Sequence, residues 1–370
     1  MLKGYRLRDY DFKLIIMVLA LSIIGYLAVG SAQEALQTKQ LAGIVMGFVM
    51  MIILSFIDYK ILIKLNWFMY IGNIVLLLLV HLIGKTAGGA QRWLVIGDSF
   101  TFQPSETAKI LLILFFAQFI MVHREHFNTF RIIALCVILV LIPWVLIVTQ
   151  PDLSTSIVLL AVFCVIMFAG GLNFKIVLGI LTVAIPALAI FLSVILQLDE
   201  AILEEYYMLR RILAFIDPQK YSVDEAYQQL NSVTAIASGM LNGKGYNNNE
   251  ITSVINGNFV SEPQTDFIFT VIGEEFGFKG CFLVIALIIG LALECVSVAR
   301  KSSDVAGTII GAGVGGLIAV QGFFNMGVAT FILPNTGLPL PFVSYGLTSL
   351  LSLYIAIGFV LNVRLQAKRN

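Results

Sequence analysis

The sequence predicts an all-α, polytopic integral membrane protein with about ten transmembrane helices and a large extracytoplasmic loop between the seventh and the eighth. Three observations lead there. Only 12% of the 370 residues are charged and 59% are hydrophobic, where soluble domains carry roughly 25% charged residues. Apolar runs of about 18–25 residues recur along the chain, each long enough to cross a hydrocarbon core about 30 Å thick. The runs are sustained rather than alternating, which argues against a transmembrane barrel.

Spans are expected at roughly 13–32, 40–57, 62–83, 104–122, 131–149, 155–172, 176–197, 267–299, 304–329 and 345–363. The eighth is too long for one crossing, so its first turn or two, around Asp266, is expected at the interface, with the span itself starting near Phe278. Residues 1–370 read as one transmembrane domain, with 198–265 as the large loop within it.

Loop charge sets the orientation. Lys3, Arg6, Arg8, Lys13, Lys60, Lys64, Arg124, Arg131, Lys175, Arg300, Lys301, Arg364, Lys368 and Arg369 fall on one side, and little beyond Lys39, Lys85 and Arg92 on the other. The positive-inside rule then places both termini in the cytoplasm, and 198–265 and Asp266 outside the cytoplasmic membrane. The first apolar run lacks a cleavable signal pattern and is expected to remain as a span. Cys136, Cys164, Cys281 and Cys295 lie within spans, as small core residues rather than a disulfide framework. A net charge of +1 with no clustered basic arm gives no ground for a nucleic-acid partner.

Polar and turn-forming residues gather in four outer segments: "TAGGAQRWLVIGDSFTFQPSETAK" (86–109), "QPDLSTS" (150–156), the stretch 198–265, and "ILPNTGLPLPFVSYG" (332–346). The planar fork of Arg92 suits a phosphate or pyrophosphate. Trp93 suits either stacking on a sugar ring or a place at the headgroup level. Glu106 and Lys109, three apart on one helical face, are placed to pair, in a pathway or as a structural tie. Asp152 follows a proline and reads either as a helix cap or as a reactive group.

"SEPQTDFIFTVIGEEFGF" (261–278) sets four acids at the edge of a span. Asp266 either complements the positive end of a helix or presents a carboxylate to a lipid-linked substrate. Partial desolvation raises such a group's pKa and makes it a better general base. Glu274 falls near the face of Asp266 and Glu275 about 100° away, to support it or to bind a neighbouring helix. "YYMLRRILAFIDP" and "AYQQLNSVTAIASGMLNG" have helical spacing and are expected as two helices near the outer surface, with "YNNNE" an exposed turn. The prolines of "PNTGLPLP" forbid a continuous helix, so this segment is expected to fold back into the bundle. His123 and His126, three apart with no cysteine nearby, make a poor metal site.

Taken together, "GAQRW", "FQPSETAK", "QPDLSTS", "RRILAFIDP", "AYQQLNSVTAIASG", "TDFIFTVIGEEFGF" and "LPNTGLPLPFVSYG" resemble the SEDS proteins (shape, elongation, division and sporulation) over essentially the whole chain. The resemblance implies a peptidoglycan glycosyltransferase that polymerises lipid II into glycan strands outside the bacterial cytoplasmic membrane, with a class B penicillin-binding protein as transpeptidase partner. Within the family it leans to the rod-shape, elongation branch and its machinery. The family's essential aspartate falls on Asp266, implied to take the proton of the acceptor 4-hydroxyl as that oxygen attacks the donor's anomeric carbon, with inversion and loss of the lipid pyrophosphate. Arg92, Arg211 and Lys109, in that order, are candidates for stabilising the departing charge, and Glu106, Asp152 and Glu262 for contacts to substrate. No organic cofactor is implied; a divalent cation fits the chemistry, but no ligand set identifies one. Three positions depart from the family pattern: Ser261-Glu262-Pro263 stands where Pro-Glu is usual, and Ser154 and Leu347 stand where glycine is common. Two other classes compete. A lipid II transporter would use Glu106, Lys109, Gln321 and Asn325 as a path, and a scaffold would bind the transpeptidase without chemistry of its own.

Overall fold

The structure, a computed structural model, describes residues 10–87, 90–96, 100–179, 207–218, 225–247 and 259–367, with isolated positions 182, 186, 193 and 257. Its helices are α1 (Phe12–Ala32), α2 (Glu34–Phe56), α3 (Asn66–Ile83), α4 (Pro104–Val122), α5 (Phe130–Val148), α6 (Leu153–Ala169), α7 (Tyr207–Ile216), α8 (Glu225–Ser238), α9 (Ile268–Arg300), α10 (Val305–Ala329) and α11 (Leu347–Ala367). Among the described residues eight helices are long and apolar enough to span a membrane, with the 17-residue α6 as a shorter apolar one. Nine of the expected spans therefore coincide with helices, within a few residues. The seventh, 176–197, lies largely outside the described residues.

Local chemistry sets the helix starts. The carboxylates of Asp11, Asp152 and Asp304 accept from the backbone N–H three residues on, capping α1, α6 and α10, and Pro104 opens α4 where its missing N–H costs nothing. Burial then sorts the helices. In α4, α10 and α11, 72, 67 and 78% of the apolar window is buried, against 28% in α2, α3 and α5. The first three form the centre of the bundle, and the others turn apolar sides outward, as a hydrocarbon solvent requires. Close approach is bought with small residues: a Cβ on Gly47 of α2 would stand 2.2 Å from the Tyr354 ring of α11. Arg364 Nε lies 3.8 Å from Asp11 Oδ2, so the start of α1 and the end of α11 meet at one end of the bundle.

Three features at the opposite end shape the site. The outer segment after α3, rich in polar and turn-forming residues, contains a three-stranded antiparallel sheet of β1 (Lys85–Ala87), β2 (Ala90–Ile96) and β3 (Phe100–Phe102). Lys85 pairs with Trp93 and Leu94 with Phe102. The β-prone run Trp93–Ile96 decides this locally against its glycine-rich surroundings.

The second is the break in α9. Gly277, at φ 61° and ψ −158°, interrupts the helix where the interfacial turn was expected to give way to the span, in a region only glycine occupies at low cost. The turn after α8 fills the gap. Lys244 and Gly245 N–H donate to the carbonyls of Glu274 and Glu275, while Phe278 and Lys279 N–H donate to those of Met240 and Leu241.

The third is α8, a helix near the outer surface as expected, with Tyr227, Leu230 and Val233 exposed and a polar face turned into the bundle. Gln229 Nε2 donates to the carbonyls of Val328 and Leu333, and Ser232 Oγ to that of Ala329. Val328 and Ala329 lie in the last turn of α10, so the buried polar face of α8 helps to satisfy another helix's terminus. α7 forms where the spacing placed it. Tyr246 is exposed, and the remainder of "YNNNE" from Asn248 lies outside the described residues.

Candidate active site

Asp266 sits in the turn just before α9, and that turn is tied to the proline-rich segment between α10 and α11. Tyr345 N–H donates to Gln264 O at 2.8 Å, Ser344 Oγ to Thr265 O at 2.5 Å, and Asn325 Nδ2 to Asp266 O at 2.8 Å. Across from the carboxylate stands Gly337, at φ 72°, where a Cβ would come within 3.1 Å of Asp266 Oδ2. The segment folds back into the bundle as expected, and Leu338, Leu340, Phe342 and Val343 are its buried anchors.

The Asp266 side chain lies deep among protein atoms yet keeps some accessible surface. Burial pushes its pKa up to about 6; Arg211 opposes the rise, Glu262 adds to it, Arg92 opposes it and Asp152 adds to it. Four groups singled out in the sequence thus converge electrostatically on this carboxylate from four separate elements. Arg211 reaches from α7 and donates to Asn335 O at 3.3 Å. Arg92 reaches from β2, with Nη2 donating to Pro151 O at 2.7 Å and Nη1 lying 3.9 Å from Asp152 Oδ1.

Asp152 is the helix cap of one reading, and both of its oxygens are held. Its Oδ1 accepts from Thr155 N–H as the cap of α6, and its Oδ2 accepts from Gln103 Nε2 and Ser105 Oγ, each at 3.3 Å. The serine that departs from the family pattern, Ser154, donates to Thr336 O, pinning α6 to the proline-rich segment. Glu262 is exposed, at φ 54°, and its Oε2 accepts from Gln264 Nε2 at 2.7 Å.

Other expected residues lie apart from this cluster. Trp93 follows Arg92 on β2, so strand alternation directs it to the opposite face of the sheet. Glu106 and Lys109 do pair, at 2.8 Å, but both are enclosed below the site, where Lys109 Nζ also meets Gln321 Oε1 at 3.4 Å. Glu274 binds Lys244 at 2.7 Å, and Glu275 accepts from Ser31 Oγ and Asn247 N–H. The two glutamates therefore hold α1 and the turn after α8. Among the described residues no three His, Cys, Asp or Glu side chains are grouped to hold a metal ion, and His123 bonds the Phe119 carbonyl. Cys164 is exposed rather than part of the core. Sequence reasoning missed Gly337 and Ser344, although both stand in a quoted motif; a glycine amid prolines was the available signal.

Comparison with known proteins identifies the family. The family model described as FTSW_RODA_SPOVE, cell cycle protein, matches residues 11–369. A protein of Geobacter metallireducens named probable peptidoglycan glycosyltransferase FtsW is 32% identical over 97% of this chain and 96% of its own. The Escherichia coli (strain K12) peptidoglycan glycosyltransferase MrdB is 31% identical over 97% of this chain and 94% of its own. A chain solved in a study of polymerisation and crosslinking by a peptidoglycan synthase complex superposes with a TM-score of 0.81 at 27% identity, covering 98% of this chain and 99% of that one. The Thermus thermophilus rod shape determining protein RodA gives 0.70 at 27% identity over 96% of each chain. A family match over nearly the whole length and relatives above 30% identity agree: this chain belongs to the FtsW/RodA/SpoVE family, the SEDS proteins.

Proposed function

We propose that this chain polymerises lipid II into peptidoglycan glycan strands, with Asp266 as the general base. The enzyme class is the one for which its relatives are named, peptidoglycan glycosyltransferase. One observation carries the mechanistic reading: a carboxylate with pKa about 6, within the field of two arginines, at the edge of the bundle. Near neutral pH such a group is mostly ionised yet basic enough to accept a proton. It takes the proton from the acceptor 4-hydroxyl as that oxygen attacks the anomeric carbon. The C–O bond to the lipid pyrophosphate breaks with its electron pair, and the new linkage is inverted. Arg92 and Arg211 stabilise the departing pyrophosphate. Lys109, enclosed with Glu106, takes no direct part. The same reading places the site outside the bacterial cytoplasmic membrane, both termini in the cytoplasm, a class B penicillin-binding protein beside the chain and an elongation role.

Against the transporter reading stands the bonding of Glu106, Lys109, Gln321 and Asn325, all buried, to one another, to the proline-rich segment and to Asp266 O. The test is glycan polymerisation from purified lipid II by the chain with its cognate penicillin-binding protein. Asp266→Asn is expected to give no polymer while remaining folded and partner-bound. In the wild type, kcat/KM is expected to fall about tenfold per pH unit below about 6. Polymer from the variant at the wild-type rate would remove Asp266 as the base.

A further inference from the structure

Asn325 and Gln321 stand four residues apart on one face of α10, and both are almost fully buried. The Asn325 amide nitrogen donates to two carbonyls at once, Asp266 O at 2.8 Å and Leu338 O at 2.7 Å. Two carbonyl acceptors admit only the nitrogen end of the amide, so its orientation is fixed. Gln321 Nε2 donates to the next carbonyl, Pro339 O, at 3.1 Å, and Gln321 Oε1 accepts from Lys109. Leu338 and Pro339 directly follow Gly337, the residue facing the Asp266 carboxylate. One side chain thus joins the two walls of the slot that holds the carboxylate: the backbone of Asp266 itself and the strand of chain across from it. The ion pair behind Gln321 braces the second wall.

We propose, building on Asp266 as the base, that Asn325 is a positioning residue. It fixes the separation between the Asp266 turn and the Gly337–Pro339 segment, and Gln321 carries the influence of the Lys109–Glu106 pair to the same segment. Lys109 therefore acts on the reaction through Gln321 and not through contact with pyrophosphate. A loosened slot displaces the carboxylate from the acceptor hydroxyl, and a misplacement of about 1 Å costs about a hundredfold in rate.

The test compares Asn325→Leu, which keeps the branched shape and removes both donated bonds, with the wild type and Asp266→Asn. Each full chain is assayed with its penicillin-binding protein on purified lipid II. For Asn325→Leu, kcat is expected to fall about a hundredfold while KM for lipid II stays within about twofold. The acidic limb of its pH profile moves down as the carboxylate gains water. Arg211, Arg92, Asp152 and Glu262, the charged groups acting on that carboxylate, are untouched, so the limb reports on Asp266. An unmoved limb, a raised KM at constant kcat, or a rate loss no larger than the loss of folded protein overturns the inference. Gln321→Leu leaves both Asn325 bonds in place and is the fallback if Asn325→Leu does not fold. It is expected to cost about tenfold in kcat, and a wild-type rate there overturns the relay. Activity in Asp266→Asn defeats the base assignment; a wild-type rate in Asn325→Leu beside an inactive Asp266→Asn defeats only the positioning role.

Discussion

At the scale of single residues, the carboxylate proposed as the base stands at the expense of the fold. Because burial raises the folded-state pKa of Asp266 from 3.8 to about 6, the folded chain holds that proton more tightly than the unfolded one. Stability contributed by this group therefore rises as pH falls through about 6 and levels off below the ordinary carboxylate range. Above pH 6 the ionised form is a net cost, by the pKa difference up to about 3 kcal/mol. Asp266→Asn is accordingly expected to raise the unfolding temperature by a few degrees at pH 8 while abolishing activity. A lowered temperature would assign the residue a structural role. Gly337 is the reciprocal case. Its φ of 72° and the 3.1 Å approach of a Cβ to Asp266 Oδ2 penalise any side chain. Gly337→Ala should cost about 1–2 kcal/mol of stability and lower kcat more than it raises KM.

At the scale of elements, the interlock between the turn after α8 and the break in α9 leaves no room for a side chain. A Cβ on Gly243 would lie 1.9 Å from Glu275 O, and one on Gly277 2.4 Å from Gly243 N. Neither neighbour is a side chain that can swing away. Gly243→Ala is expected to destabilise by at least about 2 kcal/mol, measured by thermal unfolding, and to reduce activity through the half-helix that follows Asp266. This is also where the limits of the sequence are clearest. The break near Phe278 was legible, because 33 residues exceed one crossing and glycines mark the point. The caps at Asp11, Asp152 and Asp304 follow from local chemistry and are equally readable. What fills the break was not, because the backbone bonds of residues 240–245 join partners about 35 positions away and leave no periodic trace. Which face α8 buries was hidden for a related reason. Gln229 and Ser232 look like surface residues until the end of α10 supplies the carbonyls they bind. Asp266, Arg92, Arg211 and Asp152 were found by residue type and motif, whereas their convergence on one point is a product of topology.

At the scale of the whole molecule, orientation governs which side of the membrane the site serves. Met240, 80% exposed in the turn after α8, and Glu125, exposed in the loop after α4, lie at opposite ends of the bundle. In intact cells a membrane-impermeant thiol reagent is expected to label Met240→Cys and to spare Glu125→Cys. The reverse pattern would turn the protein over and remove the extracytoplasmic reading.

The shortness of α6 bears on the lipid around the molecule. Its 17 residues span about 26 Å, several Å less than a hydrocarbon core of about 30 Å, and Ile157, Cys164 and Phe168 are open to its surroundings. A bilayer meeting that helix directly is expected to thin beside it, at a fraction of a kcal/mol per Å of mismatch. The thinning falls where Asp152 caps the helix, within the field of Asp266. Such thinning would bring headgroups nearer that end of the helix, so acyl-chain length is expected to be a variable for the proposed encounter with a lipid-anchored sugar.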